Sequence, residues 1–523
     1  MHVVLWDTRN SDVSKDFAGG FGVGLYPGHK GWRGRIIRHF FARDRRPVSL
    51  LFAHLAAIFR DLGHSVEYVE AQMPDRADVM VFCPALVGLS AERKAIARAR
   101  SRFPQARILV AGLAASMIPE AFGDLGATIV RGEAEQLYWK LDEALGQPGA
   151  TVDLGIVDDL DGLPLPDWSL FDPRAFRVGY DFWRFPTALV QASRGCTFKC
   201  GYCPYILLDN SIRFRDPRAV ADEILHGNRR WGFRSFKFRD PLFGFSAERT
   251  YELAEAIARL PQRIQFSVET RIELMPAEML GALRRAGLTS ITVGIETPDE
   301  SRLRRHGRGS LGEDRQKEFI DSCRRLGIRT VAGFMIGFPD DTEPSIRRVA
   351  ACAKRLNPTF ANFNLVTPYP GTAFFAENRG RIAATDFERY SSYDPVFKYD
   401  SLTPAELTGL SALCFNHFYF RWEYLCKNAH LLYPALRRFA GLWQSARGLL
   451  DSFARRRGGV IPPVTGRLEP LMPGPPLTAG EQPPSRLASG KADSFRYTTH
   501  QGYKSGMAKT RKTLAQTSRR NYY

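Results

Sequence analysis

Apolar positions along the first 147 residues follow two alternating rhythms. Short runs rich in β-branched and aromatic residues, at 2–6 (HVVLW), 66–70, 78–84, 107–112 and 127–131, read as strands. Between them, 49–62 (SLLFAHLAAIFRDL), 90–103 and 133–145 place apolar side chains three and four apart, the period of a helix with one buried face. Strands alternating with such helices predict a parallel, doubly wound sheet, which binds ligands beyond the carboxyl ends of its strands. A second series begins at 187. Its strands are expected at 187–192, 235–239, 264–269, 290–295, 330–336 and 360–366, with helices at 218–230, 248–259, 276–286, 313–326 and 343–356. Six βα repeats predict a partial barrel of the TIM type, open on one side.

Three stretches break the rhythm. Residues 8–47 form a Gly-rich, basic insertion after the first strand. The spacing of Gly19, Gly20, Gly22 and Gly24 fits neither a dinucleotide fingerprint nor a P-loop, so this is a loop placed to cover a ligand above the sheet. Residues 150–186 are rich in Asp, Pro and Leu and read as a linker. After an aromatic-rich helical stretch at 403–452, a Pro/Gly-rich segment and a basic, polar remainder should not pack. The expected divisions are 1–147, a linker at 148–186, a barrel at 187–400, a helical region at 401–455 and a disordered tail at 456–523.

Charge sharpens this division. The 523-residue chain carries +18, and residues 452–523 alone hold thirteen Lys and Arg against three Asp and Glu. The basic excess therefore describes the tail more than the folded body, and no nucleic-acid partner is expected. No apolar run approaches the ~18 residues of a membrane span. The N-terminus lacks the basic and apolar regions of a signal peptide, so a cytoplasmic protein is expected. Eight cysteines in such a chain point to free thiols or metal ligands rather than disulfides.

The strongest chemical signal is SRGCTFKCGYC, which sets Cys196, Cys200 and Cys203 in a C-x3-C-x2-C pattern directly after a strand. Thiolates hold iron–sulfur clusters, and three ligands on a four-iron cluster leave one iron open. Structural zinc wants four ligands in paired motifs, and no second C-x2-C exists in the chain. Cys83, Cys323, Cys352, Cys414 and Cys426 share no spacing and read as buried apolar residues.

With its strand-borne C-x3-C-x-aromatic-C and six βα repeats, the chain resembles the radical S-adenosylmethionine (SAM) superfamily over roughly 187–375. The resemblance implies a [4Fe–4S] cluster on the three cysteines and SAM on its open iron. One electron then cleaves the sulfonium, and the 5′-deoxyadenosyl radical abstracts hydrogen from an unactivated carbon. It also implies SAM contacts at strand ends: Tyr202, Asp240 of FRDPLF, Glu269 and Arg271 of VETR, Glu296 of VGIET, and Gly337 of GFMIGFPDD. The last motif departs from the family pattern at Met335 and Asp340.

The first 147 residues resemble the cobalamin-binding domain often fused ahead of that barrel, which implies a flavodoxin-like (Rossmann-type) fold. Gly112, Ala115, Ser116, Gly132 and Glu133 are the implied cobalamin contacts. Asp7 follows the first strand, but D-T-R-N-S-D lacks the histidine of the D-x-H-x-x-G motif, which implies cobalamin without His ligation to cobalt. The alternative is a domain that has lost the cofactor. The implied activity is cobalamin-dependent radical methyl transfer to a small molecule, fed by a reduced flavodoxin or ferredoxin. The alternative is radical oxidative ring closure, as on a porphyrin, or rearrangement. No catalytic acid or base stands out.

Overall fold

The computed structural model describes residues 1–8, 13–24, 26, 31–41, 48–70, 72–178, 181–309 and 311–428. The tail expected at 456–523, and the part of the helical region beyond 428, lie outside the described residues. All described residues fall within one compact unit.

The N-terminal sheet has six parallel strands: β1 (His2–Asp7), β2 (Ser65–Glu70), β3 (Val79–Phe82), β4 (Arg107–Val110), β5 (Thr128–Arg131) and β6 (Thr151–Asp153). Their order is β2-β1-β3-β4-β5-β6. β1 pairs on both sides, Leu5 facing Tyr68 of β2 and Val81 of β3. Val3 and Leu5 enter one hydrophobic core and Val4 and Trp6 the other, so the strand is apolar on both faces, as a covered parallel strand must be. The order reverses between β1 and β3, which opens a crevice outside their carboxyl ends.

The second sheet contains β7 (Thr187–Val190), β8 (Ser235–Phe238), β9 (Gln265–Thr270), β10 (Leu288–Glu296), β11 (Arg329–Ile336) and β12 (Phe360–Leu365). They lie in sequence order and all pair in parallel, forming the expected open six-stranded barrel. Its helices start where capping chemistry allows. Asp216 accepts from two backbone amides ahead of Pro217–Trp231, and Thr342 and Ser345 form a capping box on Glu343–Leu356. Thr403 and Glu406 do the same for Pro404–Tyr419, which with Trp422–Lys427 is the described part of the helical region.

Two stretches differ from expectation. The linker supplies β6, which pairs with β5, and a plug for the barrel's lower end. There, buried Asp181 holds Lys237 at 2.9 Å, and its carbonyl accepts from Thr289 and Arg329. Within the Gly-rich insertion, Val13–Ser14 pair with Val23–Gly24 and Trp32–Phe41 is a helix. Glycines hid this helix because its start carries no periodic signal.

Candidate functional site

The crevice outside β1 and β3 opens into a cleft of about 210 Å³. One wall is the carboxyl end of the N-terminal sheet, with Lys15, Cys83, Gly112, Gly132 and Glu133. The other belongs to the barrel, with Gln191, Arg194, Gly195, Tyr205 and Arg239. The insertion lies across it: Arg239 donates to the Asp16 carbonyl and stacks on Phe17, 4.3 Å from the ring centre.

The cysteine loop leaves β7 through Gly195, whose φ is +82°. A Cβ there would run into the Ser211 carbonyl, so the turn admits only glycine. The loop is pinned on both sides, since Gly201 donates to the His306 carbonyl and accepts from Phe374, each at 2.9 Å. Cys196 and Cys200 are buried, Cys203 half-buried. Burial pushes the Cys203 thiol up to about 12, and the neighbouring Cys200 and Cys196 push the same way. Burial also raises Cys196, with Cys200 adding to it. Among the described residues, no three His, Cys, Asp or Glu side chains converge tightly enough for a single metal ion. A cluster that brings its own irons and sulfides asks instead for thiolates spaced around it.

Three cationic or polar groups face this loop. The Arg271 guanidinium lies over Phe198 at 4.0 Å and donates through Nη2 to Glu273, yet its Nε and Nη1 are buried without a hydrogen-bond partner. The Tyr202 hydroxyl is likewise buried without one, and burial drives its pKa well up. Orphaned donors in a buried position cost free energy unless a ligand accepts from them. Arg308 donates to the Gly294 carbonyl at 2.6 Å, sits 3.4 Å from Glu296 and hydrogen-bonds Cys200. Glu296 itself has φ +66°, a left-handed backbone that a non-glycine residue adopts at a cost of about 1–3 kcal/mol.

The structure therefore gathers Tyr202, Arg271 and Glu296 around the three cysteines. It commits the other expected SAM contacts elsewhere. Asp240 is buried and accepts from the Ala192 amide at 3.1 Å and the Ser193 hydroxyl at 2.6 Å, which anchors the cysteine loop. Burial raises its pKa to about 6, against those hydrogen bonds. Glu269 pairs with Arg239 at 2.7 Å and Lys237 at 3.4 Å. Gly337 (φ +78°) forms the turn after β11, where its amide and that of Phe338 donate to Asp341 at 2.8 and 3.0 Å. Asp341 also accepts from Arg302 and Ser345 at 2.6 and 2.7 Å. Asp341→Ala would strip four donors of their acceptor, two of them backbone amides. The expected loss is about 3 kcal/mol, read as a lowered urea midpoint, with Asp341→Asn recovering part of it.

In the N-terminal domain, Gly112 and Gly132 line the cleft. A Cβ on Gly112 would meet nothing within 4 Å, so that backbone faces open space, whereas one on Gly132 would strike the Gly155 carbonyl. Ala115 is fully buried and Ser116 ties the two loops together, accepting from the Gly132 amide at 3.0 Å. Glu133 lines the cleft, but its carboxylate is committed to the Val157 amide, Arg213 at 2.8 Å and Arg194 at 3.4 Å. Arg194 meets Glu135 at 2.7 Å as well. Glu133 thus locks the sheet to the cysteine loop, because Ser193–Arg194 and Arg213–Phe214 are the two rungs that frame that loop. Arg194, Arg213, Arg308, Lys15 and Asp341 escaped the sequence reading. Each acts on a partner distant in the chain, and only the end of the strand-end motif, in Asp341's case, offered a local signal.

Residues 190–353 match the family model described as the Radical SAM superfamily. An uncharacterized methyltransferase of Pyrococcus horikoshii is 23% identical over 320 residues, 57% of this chain and 69% of that one. The anaerobic magnesium-protoporphyrin IX monomethyl ester cyclase of Cereibacter sphaeroides is 28% identical over 51% of this chain, which spans only 43% of that enzyme. Among solved structures, the cobalamin-dependent S-adenosylmethionine radical enzyme OxsB superposes with a TM-score of 0.56 at 14% identity, covering 83% of this chain and 67% of that one. The shared architecture is a doubly wound domain followed by an open barrel. Residues 190–353 thus carry the match to the radical SAM superfamily, and the doubly wound domain ahead of them shares the fold of OxsB.

Proposed function

We propose that this protein is a cobalamin-dependent radical SAM methyltransferase acting on a small molecule. The observation that carries the reading is the cleft, one wall built from the strand ends of the N-terminal sheet and the other from Arg194, Gly195, Pro204 and Tyr205, which flank the cysteine loop of the barrel. Cys196, Cys200 and Cys203 would hold a [4Fe–4S] cluster. Arg271 Nε and Nη1 would meet the carboxylate of SAM, and the Tyr202 hydroxyl another of its acceptors, which satisfies the orphaned donors. Gly112, whose missing side chain leaves open space, would let the backbone approach cobalamin closely. When bound, SAM and the reduced cluster supply a 5′-deoxyadenosyl radical, and cobalamin supplies the methyl group.

The chain's own residues position and enclose. The insertion, held down by Arg239 on Asp16 and Phe17, covers the cleft and keeps water out. Glu133 and Glu135 fix the distance between the two domains through Arg194 and Arg213. Such thiolate-held chemistry needs a reducing cytoplasm and an electron donor such as reduced flavodoxin or ferredoxin. Among the described residues no helix is long and apolar enough to cross a membrane.

The cyclase relative keeps oxidative ring closure as a second reading. Anaerobic purification from cobalamin-supplemented cells distinguishes the cofactor content. The expected protein contains about four irons with matching sulfide and near-stoichiometric cobalt. Iron without cobalt would remove the methyltransferase reading and leave the first domain as a binding module. Transfer of label from methyl-labelled SAM to the product then separates methyl transfer from ring closure.

A further inference from the structure

We infer that the helix Trp32–Phe41 and the turn around Trp422 form a docking face for an anionic membrane surface. Trp32 is 58% exposed, Ile36 40% and Trp422 81%. Trp32 and Ile36 lie one turn apart on the helix, and the Trp32 ring meets Phe420, two residues before Trp422, edge-on at 5.5 Å, with Arg33 stacked over both rings at 5.3 and 5.4 Å. The opposite side of the helix is anchored, with Ile37 and Gly34 buried. The apolar side chains therefore point outward on a held element and are not the frayed edge of a loose one.

Charge selects the partner. Arg33, Arg35 and Arg38 are exposed on the same helix, and the sequence from 17 to 43 contains no Asp or Glu. The acidic neighbour Glu423 is paired with Lys427 at 2.7 Å. Indole rings with an aliphatic side chain amid arginines match the boundary of a bilayer, where rings sit at headgroup depth and cations meet lipid phosphates. The face backs onto the last barrel strand. Tyr26, just before the helix, packs on Phe415 at 4.2 Å and on Tyr393, whose hydroxyl donates to Asn362 of β12 at 3.1 Å. The inference stands on this surface alone and does not depend on the reaction proposed above.

The test is co-sedimentation of the full-length holoenzyme with phosphatidylcholine vesicles, with and without phosphatidylglycerol. The expected result is binding at least roughly tenfold tighter to the anionic vesicles, weakened by salt. Trp422→Ser and the double change Arg35→Glu with Arg38→Glu should each reduce that binding about tenfold or more, while SAM cleavage in buffer stays at the parent level. Absence of binding by the parent, or binding that neither change weakens, would overturn the assignment; in the second case the basic tail would be the docking element. If the parent self-associates without binding vesicles and Trp422→Ser dissociates it, the face belongs to a second copy of this chain, and the inference fails.

Discussion

Replacing any one of Cys196, Cys200 or Cys203 by alanine is expected to abolish both the iron–sulfur chromophore and SAM cleavage. Three protein thiolates are the minimum that leaves a four-iron cluster with one open iron, so removing one leaves two points of attachment and a second exposed iron. The loop cannot recruit a substitute. The other free cysteines, Cys83, Cys323, Cys352, Cys414 and Cys426, sit on different elements, four of them buried. Iron should fall from about four per chain toward zero, and 5′-deoxyadenosine formation by at least about a thousandfold. The fold should survive, because the loop is held by backbone bonds from Gly201 and by Asp240 rather than by the thiols. Anaerobic iron and sulfide analysis, with circular dichroism as the control for folding, decides the matter. A full cluster signal in all three variants would remove the assignment.

That site was legible because its chemistry is local. A C-x3-C-x2-C loop can be read without knowing what lies across from it, and so can six βα periods. The helices at 217–231, 247–258, 277–286, 312–325 and 343–356 appear within one residue of their apolar patterns, since each buries a single stripe on the sheet. The errors cluster where tertiary partners decide. β6 is three residues long, with Gly149 and Gly155 two positions beyond its ends, and exists because β5 offers it an edge. Asp240 and Glu133, expected to contact SAM and cobalamin, lie near strand ends, but no spacing rule says whether such a group meets a ligand or an amide already in the protein. The structure answers for each: Asp240 anchors Ala192 and Ser193, and Glu133 anchors Arg213. Arg308 lay in a polar stretch, HGRGS, with no pattern at all. It matters only because the fold brings Gly294, Glu296 and Cys200 to it.

The missing histidine after β1 leads to the second large effect. In its neighbourhood the structure places a cation instead. Lys15 Nζ lies 2.8 Å from Asp7, 2.7 Å from Glu92 and 3.1 Å from the Cys83 carbonyl, with both carboxylates buried and the lysine largely so. Burial alone would lower the Lys15 pKa, but the two carboxylates outweigh it and hold the ammonium above its ordinary value of 10.5. Its contribution to stability is therefore complete below about pH 10.5 and is lost only as pH rises through the still higher folded value. Lys15→Met keeps the length of the side chain and removes the charge. It leaves Asp7 and Glu92 facing each other in a dry site, and burial already disfavours the ionised form of Glu92. Breaking a buried pair in this way is expected to destabilise the fold by about 3–5 kcal/mol, seen as a lowered urea midpoint followed by the fluorescence of buried Trp6. Lys15→Arg keeps the charge and should recover much of the loss. Since Lys15 also lines the cleft, cobalt retained on anaerobic purification should fall with the methionine variant and return with arginine. An unchanged midpoint for Lys15→Met would mean that the two carboxylates hold a proton between them and need no cation, and the end of β1 would then be free to accept a different ligand.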